Sequence, residues 1–90
     1  MPPKKNKIHC LKVLPKYYSD LKNGNKTFEI RKNDRNFKTG DILVLSEYDP
    51  ETKERTASKN LYFEVTYMLD NVKYLQEGYV CMGIIVYKAK

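Results

Sequence analysis

Alternating apolar and polar residues predict five short strands along the chain. These segments run over 8–14, 27–31, 42–48, 61–69 and 79–87, and Gly, Pro, Asn or Asp lie between them. The segment 42–48 starts with consecutive apolar residues and 79–87 is almost continuously apolar, which is typical of strands buried on both faces. In 61–69 the alternation predicts one apolar face, formed by Leu61, Phe63, Val65, Tyr67 and Leu69. Gly83 interrupts the last segment and predicts a bend or bulge.

One helix is predicted between the first two strands. Pro15 suits a first helical turn, Gly24 suits the left-handed residue after the helix end, and apolar residues recur between them at helical spacing. A further helical turn is expected near residues 72–76. The pattern therefore predicts a mainly β (α+β) domain with one or two short helices. Its strands form either a small pseudo-barrel of five to six strands or an open α+β sheet.

Length and composition predict one domain with a short tail. The 90 residues leave no room for a second core, and 41% apolar content is enough for one. Residues 1–7 are rich in Pro and Lys and predict a basic flexible tail, which leaves 8–90 as the single domain.

The positive charge is concentrated in the first half of the chain. Residues 1–40 hold eleven Lys and Arg against three Asp and Glu, a net charge of +8, whereas residues 41–90 carry −2. A basic surface of this kind attracts phosphate backbones and other anions without fixing sequence specificity. The alternative is an ordinary solubilising surface.

Several classes of protein are not indicated by the sequence. Cys10 and Cys81 are isolated and lack metal-ligand spacing, so neither a metal nor a cofactor is expected. The N-terminus lacks the apolar stretch of a signal peptide, and no run of about 18 apolar residues occurs, so no membrane partner is expected. A cytoplasmic protein is predicted, and its oligomeric state is left open.

The segment KTFEIRKND, residues 26–34, is the best candidate for a binding site. Its alternation places Phe28 and Ile30 on the core-facing side, whereas Glu29 and Arg31 share the other face. Lys26 precedes them in the turn after the helix. Two cations beside one carboxylate form a set of donors and acceptors that suits a phosphate or a nucleobase edge. The alternative is a solvent-exposed cross-strand salt bridge.

Three further residues are candidates for ligand contacts. Arg35 follows the predicted strand and suits an anion contact at its rim. His9 shares a face with apolar neighbours in the first strand, which favours a core role, but an imidazole at a cleft would suit proton transfer. Lys12 points away from His9 on an ideal strand, so only one of the two is expected to face a given site.

The ordered motifs of the chain resemble a known family. The matching stretches are His9 to Lys12, Pro15 to Tyr17, Gly24 to Arg35, Gly40-Asp41, Glu47 to Asp49 and Gly78 to Ile84. They are similar to a small bacterial and phage family of uncharacterised domains that is grouped with the ASCH domains of the PUA-like superfamily. This resemblance implies a PUA-like or ASCH-like pseudo-barrel whose cleft lies beside residues 24–31, and a function in binding RNA or a nucleotide-like ligand.

The resemblance also raises an enzymatic alternative. One ASCH subfamily is an amidohydrolase that acts on an acylated cytidine nucleoside, and its catalytic lysine stands where this chain has Lys26. Its catalytic threonine falls at Glu29, and a carboxylate cannot take over the role of that hydroxyl. Lys26 and Glu29 are therefore the catalytic candidates if the chain hydrolyses a modified nucleoside, but a binding module without catalysis is the preferred hypothesis. A non-catalytic protein-interaction module is the third alternative.

Overall fold

A computed structural model describes residues 6–70 and 73–88. Within these residues one helix and six strands follow in the order β1 (Ile8–Val13), α1 (Pro15–Lys22), β2 (Phe28–Lys32), β3 (Ile42–Asp49), β4 (Glu54–Arg55), β5 (Leu61–Leu69) and β6 (Tyr79–Val86). The helix and the five longer strands lie where the hydrophobic pattern predicts them, and the two-residue β4 lies in a segment predicted as a loop. Residues 1–5 of the predicted tail and residue 72 of the predicted helical turn lie outside the described residues, and residues 73–76 of that turn are not helical.

The strands form one sheet in the order β1-β3-β5-β6-β2, with β4 added beside β3. Strand β1 pairs in parallel with β3, and every other pair is antiparallel. The chain makes the parallel connection from β1 to β3 through α1 and β2, and α1 packs against β3. Strands β3, β5 and β6 are therefore interior strands, as the apolar runs in 42–48 and 79–87 predict.

Strands β1 and β2 are the two ends of the sheet and meet at a seam. Arg31 Nη2 in β2 donates to the Lys12 carbonyl in β1 at 2.7 Å, and Arg35 Nη1 donates to the Cys10 carbonyl at 3.1 Å. Two guanidinium groups thus bridge the edges that backbone hydrogen bonds leave unpaired in the described part of the chain. The sheet curls without closing into a barrel, because side chains rather than a strand ladder span the seam.

The core lies between the concave face of the sheet and α1. Five side chains there are fully buried: Leu43, Leu45, Val65, Val80 and Met82. Burial of each one away from water stabilises the folded state by about 1.5–3 kcal/mol. The helix adds two buried side chains, Tyr18 and Leu21. The fold class is confirmed as mainly β with one short helix, a small α+β domain rather than a closed barrel.

The predicted orientation of β2 is wrong. Glu29 is 3% exposed and points inward, whereas Phe28 and Ile30 are 42% and 49% exposed on the outer face. Alternation shows which residues share a face of a strand, but it does not show which face is inside. Glu29 occupies the inner position because Lys26 and Arg31 supply the ion pairs that a buried carboxylate needs.

A bulge in β5 changes the predicted face of its second half. The register against β6 shifts between Val65 and Tyr67, opposite Gly83, where the sequence predicts a bend or bulge. Beyond the shift, Met68 packs against the core, and Tyr67 and Leu69 are exposed instead of sharing the face of Val65. An extra residue in one strand reverses the alternation, so a strict period of two assigns those two side chains to the wrong face.

Candidate functional site

An open cleft of about 450 Å³ lies at the seam between β1 and β2, below the start of α1. The end of β1 and the residues after it form one wall, the helix contributes a tyrosine, and β2 forms the other wall. Its lining residues are Lys12, Val13, Leu14, Tyr17, Lys26, Phe28, Glu29, Ile30 and Arg31. The charged members are three cations and one carboxylate, so the cleft carries a net positive charge.

Glu29 lies at the centre of the cleft's polar network. Its Oε1 pairs with Lys26 Nζ, and its Oε2 accepts a hydrogen bond of 2.9 Å from Arg31 Nε. Both carboxylate oxygens are therefore engaged by cations, which satisfies an otherwise unfavourable buried charge. Glu29 therefore holds the side chains of Lys26 and Arg31 in place. The N–H groups of these side chains that do not contact Glu29 are thereby fixed in direction as well.

Lys26 is held by both polar and aromatic partners. Its Nζ donates to the Phe28 carbonyl at 2.8 Å as well as to Glu29, and it lies 5.2 Å from the Tyr17 ring centre and 5.0 Å from that of Phe28. A lysine ammonium has three N–H donors, so one remains for a ligand. Tyr17 and Phe28 are 37% and 42% exposed. The Lys26 amine and two aromatic rings therefore border the same opening of the cleft.

Arg31 and Lys12 complete the cationic side of the cleft. Arg31 uses Nε for Glu29 and Nη2 for the Lys12 carbonyl, and its side chain is still 26% exposed. Lys12 is exposed, and its Nζ lies 4.5 Å from the centre of the Tyr48 ring. The structure thus brings four of the predicted site residues together: Lys12, Lys26, Glu29 and Arg31.

His9 and Arg35 do not line the main cleft. His9 is buried in the core against Phe37, with 4.6 Å between ring centres, and its Nε2 lies 2.8 Å from Asp41 Oδ2. His9 therefore has the core role that its apolar strand face favours, and of His9 and Lys12 it is Lys12 that lines the main cleft. Arg35 bridges the seam farther along β1 and lines a separate, smaller cavity.

Asp41 is a buried acid that belongs to the Gly40-Asp41 motif but is not among the predicted site residues. Burial acts to raise the pKa of Asp41, but hydrogen bonds from His9 and from the backbone N–H groups of Lys7 and Lys38, with the His9 charge, hold the pKa below its ordinary value. This cluster ties the start of β1 to the turn before β3. The turn sequence Gly40-Asp41 signals the position of Asp41, but its partner His9 lies 32 residues away in the chain.

The side chains that line the cleft include few of the groups that act as nucleophiles in enzymes. Apart from the phenol of Tyr17, no hydroxyl or thiol group is present among the residues that line the cleft. Glu29 and Lys26 engage one another, so neither is a free general base or nucleophile. In the part of the chain that the structure describes, no three His, Cys, Asp or Glu residues cluster as metal ligands, and no helix is long and apolar enough to cross a membrane.

Comparison with known proteins finds one family model and one phage protein that are similar to this chain. A family model described as "Domain of unknown function (DUF3850)" matches residues 8–84. An uncharacterized 12.9 kDa protein in the GpA 3' region of Escherichia phage P2 is 45% identical over 42 residues. That similarity covers 47% of this chain and 38% of the phage protein, so the chain matches well under half of that relative's length.

Proposed function

The chain belongs to the DUF3850 family, and we propose that this member binds single-stranded RNA or a nucleotide-like ligand in the seam cleft, as a PUA-like or ASCH-like module. The observation that carries the proposal is the cleft itself, in which Lys26 lies close to two exposed aromatic rings and pairs with a buried carboxylate. Rings and cations at one opening are the elements by which proteins hold single-stranded nucleic acids without reading a duplex.

The aromatic rings supply the contact with bases. Tyr17 and Phe28 come from different elements, the helix and β2, so their relative position depends on the tertiary fold rather than on a flexible loop. Stacking of one base on such a ring contributes about 1–3 kcal/mol and tolerates any base. Phe28 is accessible because β2 turns this side chain away from the core.

The cations supply the contact with phosphates. Lys12 is exposed, and Arg31 is fixed by Glu29 and by a backbone carbonyl, so its planar fork is already oriented when a ligand arrives. Glu29 is too deeply buried to be a principal ligand contact. Its role in the proposal is to orient Lys26 and Arg31.

A titration with salt and matched variants tests the proposal. Fluorescence anisotropy of a short labelled single-stranded RNA is measured from about 50 to about 200 mM KCl, and two phosphate contacts predict a slope of about −1.4 in log K against log salt. Lys12→Ala should reduce the magnitude of that slope by about 0.7. Phe28→Ala should weaken binding by about tenfold at every salt concentration.

Exposed residues away from the cleft provide the controls. Lys59→Ala removes one charge, and Tyr74→Ala removes one ring that is 74% exposed, without touching the cleft. Both control variants should bind like the wild type. If the cleft variants and the control variants lose the same amount of RNA affinity, the proposal is contradicted. RNA affinity that does not change with salt would also contradict it, and either result would favour a protein-interaction module.

Hydrolysis of a modified nucleoside is the competing function. Its support is the position of Lys26, which matches that of the catalytic lysine in the amidohydrolase. The contacts of the amine weaken this support, because Glu29 and the Phe28 carbonyl already engage it. Turnover of acylated nucleosides by the wild type, abolished in Lys26→Ala and retained in Lys59→Ala, would establish it. If the protein binds RNA and shows no turnover of acylated nucleosides, the cleft is a binding site and not an active site.

A further inference from the structure

A second cavity of about 170 Å³ adjoins the main cleft along the seam. It is lined by Leu11, Arg31, Lys32, Asp34, Arg35 and Phe37. Arg31 lines both cavities and so stands at their boundary. At about 30 Å³ for each water molecule, the volume corresponds to five or six waters, which suits a hydrated tetrahedral anion.

We propose that this second cavity is a phosphate subsite, and that the ligand of the seam cleft is therefore a nucleotide rather than a nucleoside. The inference rests on the proposed function for the main cleft and adds the substrate class. A nucleotide would place its base beside Tyr17 and Phe28 and its phosphate beyond Arg31.

Two of the three cations in the cavity are already oriented by the fold. Arg31 and Arg35 each donate to a carbonyl of β1, at 2.7 and 3.1 Å, so both guanidinium groups are anchored at the seam. A guanidinium has five N–H donors, and these anchoring bonds leave several for an anion. Oriented arginine forks bind phosphate without the ordering cost that a free side chain incurs.

Lys32 supplies the third cation from the end of β2. It is the last residue of β2, its side chain is exposed, and it lines this cavity but not the main cleft. Lys32→Ala therefore removes a cation that lines the second cavity and does not line the main cleft. This makes Lys32, rather than Arg31 or Arg35, the residue with which to test the subsite.

Asp34 also lines the second cavity, and its negative charge opposes anion binding there. Its replacement should therefore change phosphate affinity in the opposite direction to replacement of Lys32. Its carboxylate reduces the charge of the lining groups from three positive charges to a net of two. If a phosphate enters the cavity, removal of the negative charge by Asp34→Asn should strengthen binding. A surface cluster with only a structural role would not bind phosphate more tightly when one of its acids is neutralised.

The experiment compares each of the four common ribonucleosides with its 5′-monophosphate by NMR titration of the full chain. The wild type should bind the monophosphate at least about tenfold more tightly, which corresponds to about 1.4 kcal/mol. Lys32→Ala should lower monophosphate affinity by about fivefold and leave nucleoside affinity unchanged. Asp34→Asn should raise monophosphate affinity by about threefold, and Lys59→Ala should leave both affinities unchanged.

The outcomes separate failure of the subsite from failure of the proposed function. Nucleosides and monophosphates that bind equally would overturn the subsite while leaving the main cleft as the binding site. A parallel titration with inorganic phosphate covers the reverse case. Phosphate binding that depends on Lys32 and Asp34, without nucleoside or RNA binding, would support the anion subsite and overturn the assignment of a nucleotide. Absence of binding by all probes would overturn both.

Discussion

Replacement of Glu29 by glutamine should destabilise the protein, because Glu29→Gln removes the charge that two cations share at the cleft. Loss of one partner from a fully buried ion pair costs about 3–5 kcal/mol. The side chains of Lys26 and Arg31 keep 16% and 26% exposure, so water compensates part of the loss. We therefore expect a decrease in the free energy of unfolding of about 2 kcal/mol.

Urea denaturation followed by circular dichroism measures this change directly. For a domain of this size, about 2 kcal/mol corresponds to a midpoint temperature lowered by about 8–16 °C. Glu51→Gln is the matched control, because Glu51 is exposed. The free energy of unfolding of this variant should stay within about 0.5 kcal/mol of the wild-type value. The double variant Lys26→Met/Glu29→Gln should lose less stability than the sum of the two single variants.

A small effect would contradict the role of Glu29 as a buried partner of two cations. If Glu29→Gln and Glu51→Gln both change the free energy of unfolding by less than about 0.5 kcal/mol, the network behaves as a surface salt bridge. The cations of the cleft would then not depend on Glu29 for their orientation. Additive effects in the double variant would lead to the same conclusion.

Three further predictions concern the seam, the buried acid and a turn. Arg35→Ala should lower the free energy of unfolding by about 1 kcal/mol and accelerate amide exchange in β1, measured by hydrogen exchange. Burial acts to raise the pKa of Asp41, but hydrogen bonds from His9 and from two backbone N–H groups hold the folded-state pKa below its ordinary value. The stabilisation by Asp41 is therefore present above the unfolded-state pKa and is lost as pH falls through the folded-state pKa. Wild-type stability in urea should thus fall on acidification below about pH 5, and Asp41→Asn should reduce that dependence. Gly40→Ala should destabilise more than Gly78→Ala, because both have positive φ but only at Gly40 would a Cβ approach Asn6 Oδ1, at 3.1 Å.

Each of these predictions has a contradicting result. Unchanged exchange in β1 of Arg35→Ala would show that the guanidinium does not hold the seam. An acid dependence in Asp41→Asn equal to that of the wild type would assign the dependence to other carboxylates. Equal losses in the two glycine variants would show that backbone conformation alone, and not the contact with Asn6, decides the cost.

The strand and helix positions were predictable because they depend on local pattern. Pro15 and Gly24 bound a helix whose observed range is Pro15–Lys22, with Gly24 at a φ of +86° after it. The apolar runs likewise identified β3 and β6 as interior strands. These features need no knowledge of distant residues, so a single sequence contains enough information to locate them.

The inward orientation of Glu29 was not predictable from the pattern of its own strand. Hydrophobicity favours Phe28 and Ile30 inside, and only the combination of Lys26, Arg31 and the seam makes the opposite orientation stable. Lys26 and Arg31 were nevertheless identified as its partners, since they are three and two residues from Glu29 in the chain. Their chemistry was visible in the sequence, whereas their depth in the fold was not.

Long-range partners account for the remaining differences. The pairing of His9 with Asp41 joins residues 32 positions apart, and the carbonyls at the seam have partners 19 and 25 residues away. The bulge in β5 depends on its register against β6, although Gly83 marks the place. None of these contacts leaves a local periodic signal, because each requires the folded arrangement of two strands or of a strand and a turn.

Chemical-shift mapping tests the binding role of the cleft most directly. In a ¹⁵N–¹H correlation spectrum of the full chain titrated with single-stranded RNA, we expect the largest changes at the amides of Lys12, Tyr17, Lys26 and Phe28. Smaller changes are expected on the outer faces of β5 and β6, around Tyr62 and Ile85. Changes centred on those outer faces, or none at any residue at low salt, would contradict the assignment of the seam cleft as the binding site.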